Sequence, residues 1–156
     1  MAISPTILDF LNSKKAAFDT FSHPKTYTSA DTATAAHVAD DHIAKGVVVK
    51  DDQGYLLVVI PASQWLDTHR LRAELDRDLH LAAEEENDRL FPDCRSGAIP
   101  PLGTAYGIEC VLDEDLMSLS AVYFEAGDHE HLIRVGGAVF HDLMAGVRHG
   151  HFCALE

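Results

Sequence analysis

Apolar and polar positions along the 156-residue chain switch repeatedly between a helical and a strand period. Ser4 followed by Pro5 reads as an N-cap with proline at the first helical position. Ile7, Leu8 and Leu11, then Lys14 and Lys15, complete a short amphipathic helix. Residues 17–21 alternate as a strand that Ser22-His23-Pro24 closes with a turn. Thr28-Ser29-Ala30-Asp31 is a helix start, and Ala33, Ala36 and Val38 continue a helix of small residues that can pack closely. Residues 46–49 and 55–60 are apolar, β-branched runs on either side of Asp51-Asp52-Gln53-Gly54. That pattern predicts a hairpin with glycine available for positive φ, its second strand ended by Pro61.

Further on, the helical period predicts a helix over residues 64–78, with Trp65, Leu66, Leu71 and Leu75 among charged residues. Glu84-Glu85-Glu86-Asn87-Asp88 opens a shorter helix as a solvated face, its acids placed near the positive end of the dipole. Residues 105–112 read as a strand, 113–115 as a turn or short helix, and 120–125 as a core strand that pairs with 131–135 across Ala126-Gly127-Asp128. Residues 137–144 form a helix with Val139, Phe140, Leu143 and Met144 on one side, and 147–155 are expected as a final strand. Hairpins mixed with short helices, without regular strand-helix alternation, predict an α+β fold with a mixed, largely antiparallel sheet and flanking helices. No linker, repeat or low-complexity tract divides the chain, so residues 1–156 are expected as one domain.

Composition narrows the function classes. A hydrophobic content of 47% supplies one sizeable core. The apolar stretch at residues 3–10 is short and broken by Pro5 and Asp9, and no segment approaches membrane-spanning length. A cytoplasmic protein with no membrane partner is therefore expected. Cys94, Cys110 and Cys153 are scattered and odd in number, which fits reduced thiols rather than a disulfide framework. The formal net charge of −13, with no cluster of Lys and Arg, argues against DNA and against a broad grip on any polynucleotide.

Candidate chemistry centres on Gly97-Ala98-Ile99-Pro100-Pro101-Leu102-Gly103, a loop with glycine at each end and a proline pair that no helix or central strand accommodates. Stiff backbone beside a bare glycine can aim N–H groups at an anion or a developing negative charge. Lys45, entering the apolar run 46–49 beside Gly46, is a point charge suited to a phosphate or ribose oxygen. Each feature alone is also what a rigid surface connection and a solvated strand-edge lysine look like. No Gly-x-Ser-x-Gly elbow and no His-Glu-x-x-His motif occurs.

Taken in order, Lys45-Gly46, the Gly-x-x-Pro-Pro loop and the apolar strand ending in Glu125-Ala126-Gly127 resemble the YbaK-type aminoacyl-tRNA deacylases, the domain associated with prolyl-tRNA synthetase. The resemblance spans roughly residues 20–145. It implies that Lys45 matches the lysine that holds the terminal nucleotide of a charged tRNA, and that the backbone of Gly97, Pro100 and Pro101 lines the aminoacyl pocket. It implies no metal and no other cofactor. The ester is already labile, so water needs only positioning and oxyanion stabilisation. On that basis Lys45 anchors the 3′-terminal adenosine, the N–H groups of Gly97 and Ala98 polarise the ester carbonyl, and water attacks. Tyr27, Ser29, Ile99, Gly127, His129 and His131 are candidate walls of a pocket selecting a small amino acid by volume. The acidic chain would engage only the 3′ end of aminoacyl-tRNA, or be brought there by a partner such as an aminoacyl-tRNA synthetase.

Ten histidines raise a separate question. His129 with His131, or His149 with His151 and Cys153, share a face if their segments are strands, a spacing that permits zinc ligation, though neither set supplies four obvious ligands. A non-catalytic binding module with the same fold is the second functional reading, and a metal-dependent hydrolase the third. One concave site bordered by both Lys45 and the Gly97 loop would favour editing. A Lys45 directed away from the loop would favour the binding module.

Overall fold

The computed structural model describes residues 3–26 and 28–154. Helix α1 (Pro5–Ser13) starts as its sequence dictates: Ser4 caps it, its hydroxyl accepting the N–H of Ile7, and Ile7 and Leu11 are fully buried. After β1 (Phe18–Ser22), helix α2 (Ser29–Ala36) is capped by the Thr28 hydroxyl, which accepts from Asp31. The predicted hairpin is β2 (Ala44–Asp51) against β3 (Gly54–Pro61), with Gly54 at φ +133° in the turn. Helix α3 (Thr68–Leu75), β4 (His80–Leu81), α4 (Glu84–Leu90), β5 (Glu109–Asp113), β6 (Ala121–Glu125), β7 (His131–Gly136), α5 (Gly137–Leu143) and β8 (Arg148–Gly150) complete the order.

The strands form two sheets, β1-β7-β6 and β4-β2-β3-β5-β8. The first is antiparallel throughout. In the second, β2 pairs antiparallel with β3 and β4, while β3-β5 and β5-β8 are parallel. The fold is therefore α+β with mixed and antiparallel sheets, although parallel pairing takes a larger share than the strand pattern predicted. A parallel bridge between Ile43 and Tyr123 ties the start of β2 to β6.

Burial explains why β3 reads as a continuous apolar run. Leu57 and Val59 join Ala44, Val48, Val122, Phe124, Ile133 and Val135 in the core between the sheets. Leu56, Val58 and Ile60 pack on the other face with Val49, Leu71, Leu79 and Phe152. A strand covered on both faces loses its polar alternation.

Four expectations change. The helix predicted over 64–78 spans only Thr68–Leu75, because Asp67 caps it and accepts the N–H groups of His69 and Arg70. Trp65 therefore lies before the helix, 79% exposed. The strand predicted over 105–112 begins as a 3₁₀ turn at Gly103–Tyr106 and becomes extended only at Glu109. The final strand is three residues long, and Leu155 lies outside the described residues. The acidic run in α4 is not wholly solvated either: Glu86 accepts from Lys50, Tyr55 and the backbone of Ala83, which holds its carboxyl down at about 2.

Candidate functional site

Lys45 lies on β2 opposite Ile60. Strand alternation puts Ala44, Gly46 and Val48 toward the inter-sheet core and Lys45 toward the outer face, where Ile60 packs. There its ammonium lies 5.6 Å from the centroid of the Trp65 ring. Burial pulls the Lys45 pKa below the ordinary lysine value, an effect that Cys153 opposes only in its thiolate form. The ammonium borders a cleft of about 470 Å³ with Thr28, Asp40, Ser63, Gln64 and Trp65.

The Gly97 loop borders a different cleft. Lys25, Glu84, Arg95, Ser96, Gly97 and His129 enclose about 420 Å³. Gly97 takes φ +82°, the left-handed conformation that glycine tolerates. Ala98 is fully buried and its N–H donates to the Arg95 carbonyl at 3.0 Å, so it cannot serve an incoming oxyanion as predicted. Pro100 and Pro101 are buried as well and line neither of these two clefts. Ile99 is partly buried, with its Cγ2 only 3.3 Å from where a Cβ on Gly46 would stand, so the loop rests on β2 at the residue next to Lys45.

Lys45 and Gly97 thus do not share one cleft. They flank a single stretch of chain: Lys25 lines the Gly97 cleft and Thr28 the Lys45 cleft, at most about 11 Å apart along the backbone. Tyr27, an expected wall, lies outside the described residues, and Ser29 is the first residue of α2.

The segment after β6 builds the floor of the Gly97 cleft. Gly127 has φ +100°, and a Cβ there would stand 3.0 Å from Ser4 Cβ and 3.1 Å from Cys94 Sγ, so the position is restricted to glycine. Gly127 is buried and supports the site through its carbonyl, which accepts the Arg95 N–H at 2.7 Å. His129, at φ +61°, is 3% exposed, and its Nε2–H donates to the Ser96 carbonyl at 2.7 Å. His131 Nδ1–H donates to Asp128 Oδ2 at 2.6 Å and lines neither cleft. Burial raises the Asp128 pKa, but the N–H groups of Glu130 and His131 and the His131 imidazole outweigh it and leave the carboxyl below its ordinary value. Glu125 shows the opposite balance. It is 4% exposed, accepts from Thr32 Oγ1 at 2.7 Å, and is raised chiefly by burial, despite the opposing Thr32 bond and the nearby His129 and His23. Its Oε2 has no hydrogen-bond partner among the described residues.

Among the described residues, neither candidate histidine set forms a group of three potential ligands. His149 and His151 both face Glu114, at 3.9 and 3.4 Å. Instead, Asp113, Asp115 and His151 bring three potential ligand atoms within 4.8 Å of one another, two of these residues being exposed. None of the cysteines is poised as a thiolate: burial pushes Cys94 and Cys110 up to about 11 and Cys153 up to about 12.

Sequence reasoning missed Trp65, Arg95 and Lys25. Arg95 had a signal, standing two residues before Gly97. Trp65 had none, because it stood with Leu66, Leu71 and Leu75 in the run read as one helix.

The fold recurs in solved structures of low identity. A proposed trans-editing enzyme for prolyl-tRNA synthetase matches with TM-score 0.84 at 22% identity, over 99% of this chain and 100% of that one. A designed scaffold for presenting linear epitopes matches with TM-score 0.85 at 20% identity, over 97% of each chain. A protein from Marinobacter aquaeolei VT8 described with a signal-transduction role matches with TM-score 0.80 at 22% identity, over 96% of this chain but 30% of that one. A search of curated proteins returned no match. The sequence profile of the aminoacyl-tRNA editing domain matches residues 23–143, a span that contains Lys45, the Gly97 loop and His129. With that span covering most of the chain and the fold agreeing over its whole described length, the protein belongs to the aminoacyl-tRNA editing domain family.

Proposed function

We propose that the protein is an aminoacyl-tRNA deacylase that acts in trans on tRNA carrying a wrongly attached small amino acid. The observation that carries this reading is the match of residues 23–143 to the aminoacyl-tRNA editing domain, and two clefts on either side of residues 25–28 supply its chemistry. One holds an ammonium suited to the terminal nucleotide, the other a glycine N–H and a fixed histidine suited to the aminoacyl end. The Gly97 N–H has no hydrogen-bond partner among the described residues and is the donor for the developing oxyanion. Lys45 holds the nucleotide so that the ester crosses the stretch between the clefts. Water attacks the carbonyl carbon, the ester C–O bond breaks, and the terminal ribose oxygen leaves with a proton. With all three thiols held protonated, no covalent acyl intermediate is required. Selection by volume discards larger amino acids, since hydrophobic discrimination supplies only about 1–3 kcal/mol per methylene.

The separation of Lys45 from the Gly97 loop is the observation that favours the alternative, a binding module that recognises an aminoacyl-like ligand or a protein without hydrolysis. A panel of tRNAs carrying Ala, Ser, Cys, Thr and Pro distinguishes the two. Editing predicts hydrolysis of one mischarged member by the wild type and a loss of roughly 10- to 100-fold in Lys45→Ala, the size expected for removing a charged hydrogen bond. A folded wild type that hydrolyses none of them leaves the binding module.

A further inference from the structure

We infer that Trp65 forms an adenine-binding platform in the Lys45 cleft, a site that takes the purine base of the terminal nucleotide; this rests on the editing reading and deepens it. Trp65 is the sole tryptophan of the chain and is 79% exposed. Packing does not account for it: it belongs neither to the core that its neighbours Leu66 and Leu71 serve nor to the core between the sheets.

Its backbone is nevertheless fixed. The Trp65 carbonyl accepts the Ala154 N–H at 2.9 Å, Leu66 forms a β-bridge with Cys153, and the Asp67 N–H donates to Phe152 at 2.7 Å. An exposed ring on an anchored backbone costs little entropy to present, which is the requirement of a stacking surface. The Lys45 ammonium lies over the ring, and the high exposure leaves ring surface open for a planar partner as well. A base stacked there places its 5′-phosphate within reach of the same ammonium, and Asp40 offers a carboxylate to accept the ribose hydroxyls. Gln64 and Ser63 line the cleft with groups able to donate to and accept from the base edge. The combination of aromatic face, single cation and carboxylate is matched by one nucleotide rather than by a helical stem. That agrees with a surface whose net charge of −13 repels a longer phosphate track.

Because Trp65 is the only tryptophan, its emission reports the site directly. The probes are adenosine 5′-monophosphate and uridine 5′-monophosphate. The expected result is saturable quenching by the adenine nucleotide, several-fold weaker affinity for the uracil nucleotide, and loss of affinity in Lys45→Ala. In hydrolysis assays, Trp65→Ala should raise KM for aminoacyl-tRNA by roughly tenfold or more with kcat nearly unchanged, and Trp65→Phe should restore most of the loss. Quenching that is only linear in nucleotide concentration, or equal for both nucleotides, overturns the platform. So does hydrolysis by Trp65→Ala with unaltered KM, and in that case the editing reading survives. Saturable, adenine-selective quenching by a protein that hydrolyses no aminoacyl-tRNA upholds the platform and removes the editing reading.

Discussion

At the scale of single residues, conformation and protonation carry the site. Gly97 sits at φ +82°, where any Cβ is strained. Gly97→Ala is expected to cost about 1–2 kcal/mol in urea unfolding and, by turning the N–H, to lower hydrolysis more than it raises KM. Glu125 and Asp128, three residues apart, respond to pH in opposite senses. The Glu125 carboxyl is raised by burial, so the native state holds its proton more tightly than the unfolded chain. That stabilisation is present below the unfolded carboxylate pKa and is lost as pH rises through the higher native value. Glu125→Gln should therefore unfold at a higher temperature than wild type at pH 8 and lose that advantage near pH 4, as followed by thermal melts. Asp128 is depressed, so its contribution is present above the unfolded pKa and is lost as pH falls. Asp128→Asn should destabilise at neutral pH by about 1–3 kcal/mol, since two backbone N–H groups and the His131 imidazole lose their carboxylate.

At the scale of elements, the C-terminal segment matters more than its length suggests. Asp113, 1% exposed, accepts the Asp115 N–H through Oδ1 and the Phe152 N–H through Oδ2, tying the end of β5 to the strip that supports Trp65. Asp113→Ala is expected to lower stability by about 1–3 kcal/mol in urea and to weaken nucleotide quenching of Trp65 along with it. This tie was invisible in the sequence, because a side chain that bonds backbone 39 residues away leaves no periodic trace. What was legible was local. Ser4-Pro5 and Thr28 announced two helix starts, Asp51 to Gly54 announced the hairpin turn, and the 120–125 and 131–135 runs paired as read. What failed was decided by tertiary partners. Asp67 starts α3 later than the apolar spacing implied, and the final strand shrinks to Arg148–Gly150, which joins β5 in parallel. In the site, Lys45 and Gly97 were legible as candidates. Their placement in two clefts was not, because it depends on which face of β2 each one meets.

For the whole molecule, two sheets sharing one core put both clefts around residues 25–28, while 25 acidic against 12 basic side chains set a repulsive background. Binding of tRNA should then depend weakly on salt. With one or two phosphates of the single-stranded 3′ end neutralised near Lys45 and Lys25, log K against log salt should slope by about −0.7 to −1.4, far shallower than for a protein that grips a stem. Affinity titrations from low to physiological salt measure this, and a steep slope would place a second contact surface on the molecule.

Ile99 Cγ2 stands close to where a Cβ on Gly46 would lie, which makes residue 46 a spacer between the strand and the loop. A methyl there would stand 2.8 Å from Leu57 Cδ1 and 3.3 Å from Ile99 Cγ2, so Leu57 would have to rotate and the loop to lift. If the Gly97 cleft takes the aminoacyl group as proposed, its gauge is written at a position that lines neither cleft, and amino-acid preference becomes adjustable from behind the wall, with Lys45 and Gly97 left in place.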